Sequence, residues 1–209
     1  AQNRISGWTY DGAGNLKAHL SRTFDYDAEN RQTSATVNGA TATYFYDGDG
    51  RRVKAVTPAG TTVYVYDASG ALAAEYSTAA PREFGVTYLT ADHLGSTRLL
   101  TDGAGAVKKR YDYLPFGEEI AAGVGGRTAG MGYGDSASMT VADRVTVKFT
   151  GKERDAATGL DYFGARYMSS AQGRFTSPDP VNHPSQSSWD LETFLSTPQR
   201  WNAYAYVLN

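Results

Sequence analysis

A short unit recurs four times in the N-terminal part of the chain and constrains the fold more than any other feature. Each copy consists of an aromatic residue, any residue, Tyr, Asp, two further residues, and then Gly or Asn. The Tyr-Asp pairs are Tyr10-Asp11, Tyr26-Asp27, Tyr46-Asp47 and Tyr66-Asp67. The tyrosines lie 16, 20 and 20 residues apart (10 to 26 to 46 to 66). A spacing on this scale indicates a repeat architecture.

Each unit predicts a strand that ends in a tight turn. The aromatic residue and the Tyr two positions later project from the same side of a strand, because side chains alternate. The Asp side chain can accept hydrogen bonds from backbone N–H groups of the turn, and Gly or Asn adopts the left-handed conformation that closes it. Residues 1–80 are therefore predicted to form repeated antiparallel β-hairpins with a tyrosine-rich face, and the fold class is all-β.

The tyrosine-rich face has two interpretations. Cross-strand aromatic contacts would make it a scaffold, whereas an open face would make it a platform for a glycan or a peptide. The scaffold is favoured because each tyrosine has a fixed position next to a turn.

Composition excludes several classes of function. The formal charge of −2 gives no electrostatic reason to bind nucleic acid, and no apolar run approaches the roughly 18 residues that a membrane span needs. The chain has no cysteine and only three histidines, which are far apart in sequence. We therefore expect no disulfide, no metal site and no cofactor.

The region around residue 92 contains residue types found in hydrolases. Asp92, His93 and Ser96 lie within five positions of one another. Adjacent Asp and His residues in one turn are poorly placed for a nucleophilic relay, and the sequence has no nucleophile elbow. A turn that carries an ordinary histidine is the preferred interpretation.

The C-terminal part differs from the hairpins. Strand alternation returns over residues 143–149. Ser187 and Ser188 precede a short amphipathic segment, Trp189 to Leu195, which predicts a helix with a serine cap that ends before Pro198. The last residues, 202–209, alternate again and predict a strand.

Five further motifs follow the repeats in order. They are DHLGSTR at 92–98, PFGE at 115–118, FTGKERD at 149–155, TGLDYFGARY at 158–167 and GRFTSPDP at 173–180. Together with the four Tyr-Asp units, they resemble the RHS (rearrangement hotspot) or YD-repeat family and its repeat-associated core.

The resemblance implies an organisation and a function. YD-repeat hairpins would occupy residues 1–80, the start of the core 81–120, a glycine-rich flexible loop 121–140, and the rest of the core, with a C-terminal helix and strand, 141–209. In this family, hairpins wind into a hollow β-shell that the core closes at one end, and the shell encloses a C-terminal toxin or other cargo. The chain would be the last turns of such a shell in a secreted or cell-surface protein. Its partners would be the cargo and the missing repeats, from its own chain or from a partner chain.

The resemblance also raises an enzymatic alternative, aspartyl autoproteolysis, in which paired carboxylates activate water. Asp179 matches one aspartate of the self-cleaving relatives. The sequence departs from their pattern at Pro178, where Arg is common, at 181–183, and at 168–170. Asp161 is a nearby carboxylate without an assigned role. We therefore expect the chain to be a non-enzymatic scaffold.

The remaining motif residues are interpreted as structural. Charges of both signs are interspersed, and buried charges must be paired, so they are expected to hold the core loops against the tyrosine-rich sheet. The set comprises Asp92, His93, Gly95, Arg98, Gly117, Lys152, Glu153, Arg154, Asp155, Arg166, Arg174, Pro178 and Pro180.

An open strip of hairpins has unpaired edge strands, which are sites of association. The sequence therefore predicts edge-to-edge self-association or pairing with strands of the missing repeats.

Overall fold

A computed structural model describes residues 3–79, 85–135, 145–180 and 191–207. Within these residues there are three antiparallel sheets, one short α-helix and several 3-10 turns. The expectation of an all-β fold made of antiparallel hairpins is confirmed.

The largest sheet has eight strands in sequential order, so that each strand pairs with the next along the chain. The strands are β1 (Thr9–Tyr10), β2 (Leu16–His19), β3 (Arg22–Tyr26), β4 (Gln32–Val37), β5 (Ala40–Tyr46), β6 (Arg52–Thr57), β7 (Gly60–Tyr66) and β8 (Leu72–Ser77). This is the hairpin meander that the repeat predicts.

The Tyr-Asp units form the turns at one end of this sheet. In the third unit, Asp47 Oδ1 accepts hydrogen bonds from the backbone N–H groups of Asp49 at 3.0 Å and Arg51 at 2.8 Å. Gly50 closes the turn with φ of 79°, in the left-handed region that glycine adopts without strain. In the second unit Asn30 takes this place with φ of 62°. The turn is thus specified locally by residue type.

The two faces of the sheet differ in exposure. Phe24, Tyr44 and Tyr64 are buried on one face, which we call the tyrosine face. On the opposite face, Phe45 and Val63 are each 42% exposed. The alternation of the strands therefore separates a covered side from an open side.

A second sheet repeats the same turn twice. Its strands are β9 (Tyr88–Ala91), β10 (Thr97–Thr101) and β11 (Val107–Arg110), in the order β11-β10-β9. Asp92 and Asp102 each accept two backbone N–H groups in the connecting turns, as Asp47 does. The hairpin unit therefore continues beyond the four copies that its tyrosines identify.

The glycine-rich segment is more structured than expected. Residues 121–135 contain a 3-10 turn at Ala129–Met131, and Tyr133 forms a β-bridge with Arg110. Arg127 Nε also donates to Asp112 Oδ2 at 2.7 Å. A flexible linker is therefore the wrong description of 121–135, because long-range polar contacts hold these turns in place; residues 136–140 lie outside the described part.

The remaining residues form what we call the closing module, residues 145–180 and 191–207. It contains a four-stranded sheet of β12 (Glu153–Arg154), β13 (Asp161–Tyr162), β14 (Tyr167–Ser169) and β15 (Arg174–Phe175), and the helix α1 (Leu191–Ser196). Leu160, Tyr162 and Tyr167 of the module pack on the tyrosine face. The module thereby covers one side of the large sheet.

The structure bears on three expectations for this region. The helix is present, but the proposed serine cap lies outside the described residues. The strand expected over 143–149 is wrong for 145–149, where only Val147 forms a bridge, to Glu153. The C-terminal strand is also wrong as far as residue 207, because Ala205 makes a single bridge to Arg174 and neighbouring turns interrupt the alternation.

Candidate functional site

The most deeply buried charge of the large sheet is Arg52, whose side chain is fully buried at the start of β6. It is the second residue after the turn glycine of the third Tyr-Asp unit. Leu16, Gln32 and Leu72 hold the same place in the other units. The repeat therefore places this side chain on the tyrosine face, where a charge needs partners.

Two carboxylates of the closing module supply the opposite charge. Arg52 Nη1 donates to Asp155 Oδ2 at 3.1 Å, and Arg52 Nη2 forms an ion pair with Glu153. Both carboxylate side chains are at least nine-tenths buried. These two residues of the KERD motif are thereby attached to the third hairpin repeat.

Four tyrosine rings surround the same guanidinium group. Its Cζ lies 5.3 Å and 4.6 Å from the ring centroids of Tyr44 and Tyr64 on the sheet. It lies 4.5 Å and 5.9 Å from those of Tyr162 and Tyr167 on the module. Both layers therefore contribute cation–π contacts to one charge.

The tyrosine hydroxyls complete the network. Arg52 donates to the hydroxyl oxygens of Tyr167 at 2.9 Å and Tyr64 at 3.1 Å. The Tyr44 hydroxyl donates to Asp155 Oδ1 at 3.0 Å. Hydrogen bonds to charged groups are stronger than those between neutral groups, so the network joins the two layers firmly.

Burial changes the acidity of these tyrosines. It raises the pKa of Tyr46 to about 12 and raises the pKa values of Tyr44 and Tyr64 further. Burial opposes the charge of Arg52, but nearby Tyr167 and Glu153 raise its pKa above the usual value. The site therefore favours neutral phenols around a permanent cation, which suits a structural link better than proton transfer.

A second buried charge cluster connects the PFGE segment to the module. Arg154 binds Asp161 through two hydrogen bonds, Nε to Oδ1 at 2.6 Å and Nη2 to Oδ2 at 3.0 Å. Arg154 also lies 3.3 Å from Glu119 and donates to the Gly117 carbonyl at 2.8 Å. Lys148 Nζ lies 3.2 Å from the same Glu119. Asp161 is thus a partner of Arg154.

Asp179, the candidate catalytic residue, has a cationic partner. Arg166 Nη2 donates to Asp179 Oδ2 at 3.0 Å, and the guanidinium group of Arg166 lies 3.7 Å from the centroid of the Phe175 ring. The Asp179 backbone N–H donates to the Ala203 carbonyl at 2.7 Å. These contacts tie the TSPDP segment to β15 and to the C-terminal turn.

The residues of the hydrolase alternative do not form a relay. Asp92 Oδ1 accepts the backbone N–H groups of Leu94 at 3.0 Å and Ser96 at 2.9 Å. Ser96 Oγ accepts the Thr150 backbone N–H at 2.9 Å, and His93 is exposed. All three residues lie in or beside a turn, as the preferred interpretation expects.

The other motif residues occupy separate places. Arg98 pairs with Asp112 at 2.5 Å, and a Cβ on Gly117 would lie 2.6 Å from the Phe149 ring.

Gly95 lies beside the backbone of Gly151, and Lys152 lies 5.5 Å from the Phe163 ring centroid. Arg174 lies 4.6 Å from the Tyr204 ring centroid. Pro178 is half-buried and Pro180 is exposed.

Sequence reasoning identified Glu153 and Asp155 but missed Arg52, the cation that they bind. Aligning the four units by their turn glycine or asparagine would have revealed it, since a charge stands where two copies have leucine. It also missed Glu119 and Lys148, for which no comparable signal exists. Among the described residues, no group of three or more His, Asp or Glu side chains is placed to hold a metal ion.

A meander of Tyr-Asp hairpins whose covered face carries a charged closing module is the architecture of a structural repeat protein. Residues 26–62 match the family described as RHS Repeat. The match covers the second and third Tyr-Asp units of the large sheet.

Two curated proteins match part of the sequence. The chain is 38% identical over 90 residues to Salivary gland surface protein 1 of Aedes aegypti, an alignment that covers 43% of this chain and 2% of that protein. It is 34% identical over 88 residues to Toxin subunit YenC1 of Yersinia entomophaga, covering 42% of this chain and 8% of that protein. The chain thus corresponds to a small part of each relative.

Solved structures share the fold over nearly the whole chain. The crystal structure of TcdB2-TccC3-TEV matches with a TM-score of 0.67, and the Photorhabdus luminescens Tc holotoxin pore matches with 0.60. Each match has 20% sequence identity and covers 96% of this chain but 10% of the other. Among the described residues, no helix has the length and apolar character needed to cross a membrane.

Proposed function

We propose that the chain is a non-enzymatic scaffold, the wall segment and closing module of an RHS-type β-shell that encapsulates and anchors a C-terminal toxin or other cargo. The hairpin sheet forms the wall, and the module fixes its last turns. The missing repeats and the cargo are its partners, and the assembly is secreted or displayed at a cell surface. The fold shared with Tc toxin structures and the similarity to a toxin subunit support this role.

The observation that carries the proposal is the Arg52 network. Two carboxylates and two tyrosines from the module meet an arginine and two tyrosines from the sheet. Moving the module across the sheet would leave several buried charged groups without partners, at a cost of several kcal/mol. Such a link suits a wall that must stay closed around its contents.

The autoprotease alternative has less support. It requires two carboxylates that share a proton, whereas Asp179 is paired with Arg166 and Asp161 with Arg154. The binding-platform alternative is also disfavoured. The Tyr44 and Tyr64 side chains lie beneath the module, and their hydroxyls are bound to Asp155 and Glu153.

Limited proteolysis tests encapsulation. The chain is expressed with its native flanking sequence, and the segment C-terminal to residue 209 is followed during digestion. We expect that segment to resist protease in the parent and to become cleavable in Arg52→Leu, because the closing module loses its anchor. Equal cleavage in parent, Arg52→Leu and the neighbouring control Arg51→Leu would exclude an encapsulating role.

The same samples test the enzymatic alternative by intact mass. We expect the same mass before and after incubation for the parent and for Asp179→Asn. Cleavage of the parent that Asp179→Asn abolishes would replace the non-enzymatic assignment with the autoprotease.

A further inference from the structure

The strand β8 ends the large sheet with a long open edge. It is the terminal strand in the sheet order, and no described residue pairs with its outer side. The other terminal strand, β1, has two residues, whereas β8 has six. The β8 edge is therefore the larger site for the addition of a strand.

The alternation of hydrogen-bonded pairs between β7 and β8 identifies the backbone groups of β8 that face outward. The Thr78 N–H donates to the Thr61 carbonyl at 2.9 Å, and Val63 lies opposite Tyr76. Hydrogen-bonded pairs alternate along an antiparallel ladder, so Ala74, Tyr76 and Thr78 direct their backbone groups toward β7. The N–H and C=O groups of residues 75 and 77 consequently point away from the sheet.

This edge has one protective charge, Glu75, but few of the other features that usually protect an edge strand. Natural edges carry lysine, proline or a bulge, yet residues 72–79 contain no Lys, Arg or Pro. The register shift of this hairpin lies near Leu72, which leaves the ladder over 74–77 regular. Tyr76 is 67% exposed, and its cross-strand neighbour Val63 is 42% exposed. An accessible apolar surface thus borders the free backbone groups.

We propose that β8 pairs antiparallel with β8 of a second copy of this chain, around a two-fold axis at Tyr76. In this register Glu75 lies opposite Ser77 of the second copy, and both use their outward backbone groups. The two Tyr76 rings face each other as a non-hydrogen-bonded pair, in which side chains are closest. The result is one continuous sheet across two copies.

Two other symmetric registers are less favourable. An axis at Glu75 would place two carboxylates directly opposite each other, and like charges in such a pair are destabilising. An axis at Ala74 would require residue 73, next to the register shift, to form regular ladder bonds. The axis at Tyr76 avoids both problems. This inference does not depend on the proposed shell role.

Cysteine crosslinking tests the register, because the chain has no native cysteine. Across the axis, the Cα atoms of residue 76 would lie about 4.5 Å apart, within the range for a disulfide. We expect Tyr76→Cys to form a covalent dimer under mild oxidation. The matched control Val63→Cys lies on the same face but one strand inward, about 14 Å from its symmetry mate, and should stay uncrosslinked. Crosslinking of Ala74→Cys but not Tyr76→Cys would overturn this register.

Sedimentation of the cysteine-free chain tests the dimer itself. We expect the parent to dimerise with rising concentration and Tyr76→Lys to lose the dimer while keeping its circular dichroism spectrum. Tyr88→Lys, which alters an exposed tyrosine on the β9 edge, should keep the dimer. A parent that is monomeric at every concentration would refute the proposal. So would loss of the dimer in Tyr88→Lys but not in Tyr76→Lys.

Discussion

A buried guanidinium group is tolerated only when its charge and donors are matched, because the desolvation of an ion costs several kcal/mol. Arg52 meets this condition through Glu153, Asp155 and the tyrosine rings of both layers. Apolar residues at the positions of Arg52 and its two carboxylate partners would form a simpler core. The charged network instead restricts how the module can sit, since only one arrangement pairs all of its members.

Arg52→Leu should destabilise the chain by about 3–5 kcal/mol, because it leaves two carboxylates buried without their cation. Urea unfolding measures the change. Arg51→Leu is the matched control, since Arg51 is half-buried and lies 6.0 Å from the centroid of the Tyr66 ring. This variant should lose less than about 1 kcal/mol of unfolding free energy. Equal losses of unfolding free energy in the two variants would show that the Arg52 network has no special role in stability.

At the scale of the element, the hairpin turn is the repeated unit. The Asp carboxylate stabilises the turn but is not required for the turn to form, as residues 114–118 show. There the Leu114 N–H donates to Glu118 O at 2.7 Å and the Gly117 N–H to Leu114 O at 2.9 Å, as in the Tyr-Asp turns but with Leu in place of Asp. Backbone geometry with a left-handed glycine can therefore form the turn, and the Asp adds stability to it.

Asp47→Ala should cost about 1 kcal/mol, because the N–H groups of Asp49 and Arg51 lose their side-chain acceptor. Asp47→Asn retains a side-chain oxygen and should lose less. Chemical denaturation of both variants beside the parent measures the difference. If asparagine and alanine cost the same, the side-chain hydrogen bonds do not stabilise the turn.

At the scale of the whole molecule, buried tyrosines link the two layers and determine the response to alkali. Burial raises the pKa of Tyr46 from 10.0 to about 12. It also raises the pKa values of Tyr26, Tyr44, Tyr64, Tyr162 and Tyr167. The folded chain thus keeps protons that the unfolded chain releases.

The sign of the pH effect follows from proton linkage. The stability that these tyrosines contribute is fully present below pH 10 and is lost as the pH rises from 10 through 12. We expect unfolding to begin in this interval, with phenolate absorbance and far-ultraviolet circular dichroism changing together, because both layers share the tyrosines. The chain unfolded in urea, in which the phenols titrate at their ordinary pKa, is the control. Full ionisation of the tyrosines with an intact fold would contradict this account.

The amino-acid sequence alone determined the hairpins, their turns and the two faces of the large sheet. These features depend on side-chain alternation and on Asp, Asn and Gly within a few residues of each other, so they are encoded locally. Only the tertiary structure decided how the glycine-rich and C-terminal segments fold. Arg127 and Asp112 fix residues 121–135, and turns near Ala205 replace the expected strand.

The cation that pairs with the carboxylates of the KERD motif was likewise decided only by the tertiary structure. Arg52 and Asp155 are 103 residues apart in sequence, and periodicity cannot state which distant segments will meet. Burial makes the pairing obligatory, but the packing of the module on the tyrosine face selects the partner. The repeat therefore specified the large sheet, and long-range contacts between buried charges specified how the closing module covers it.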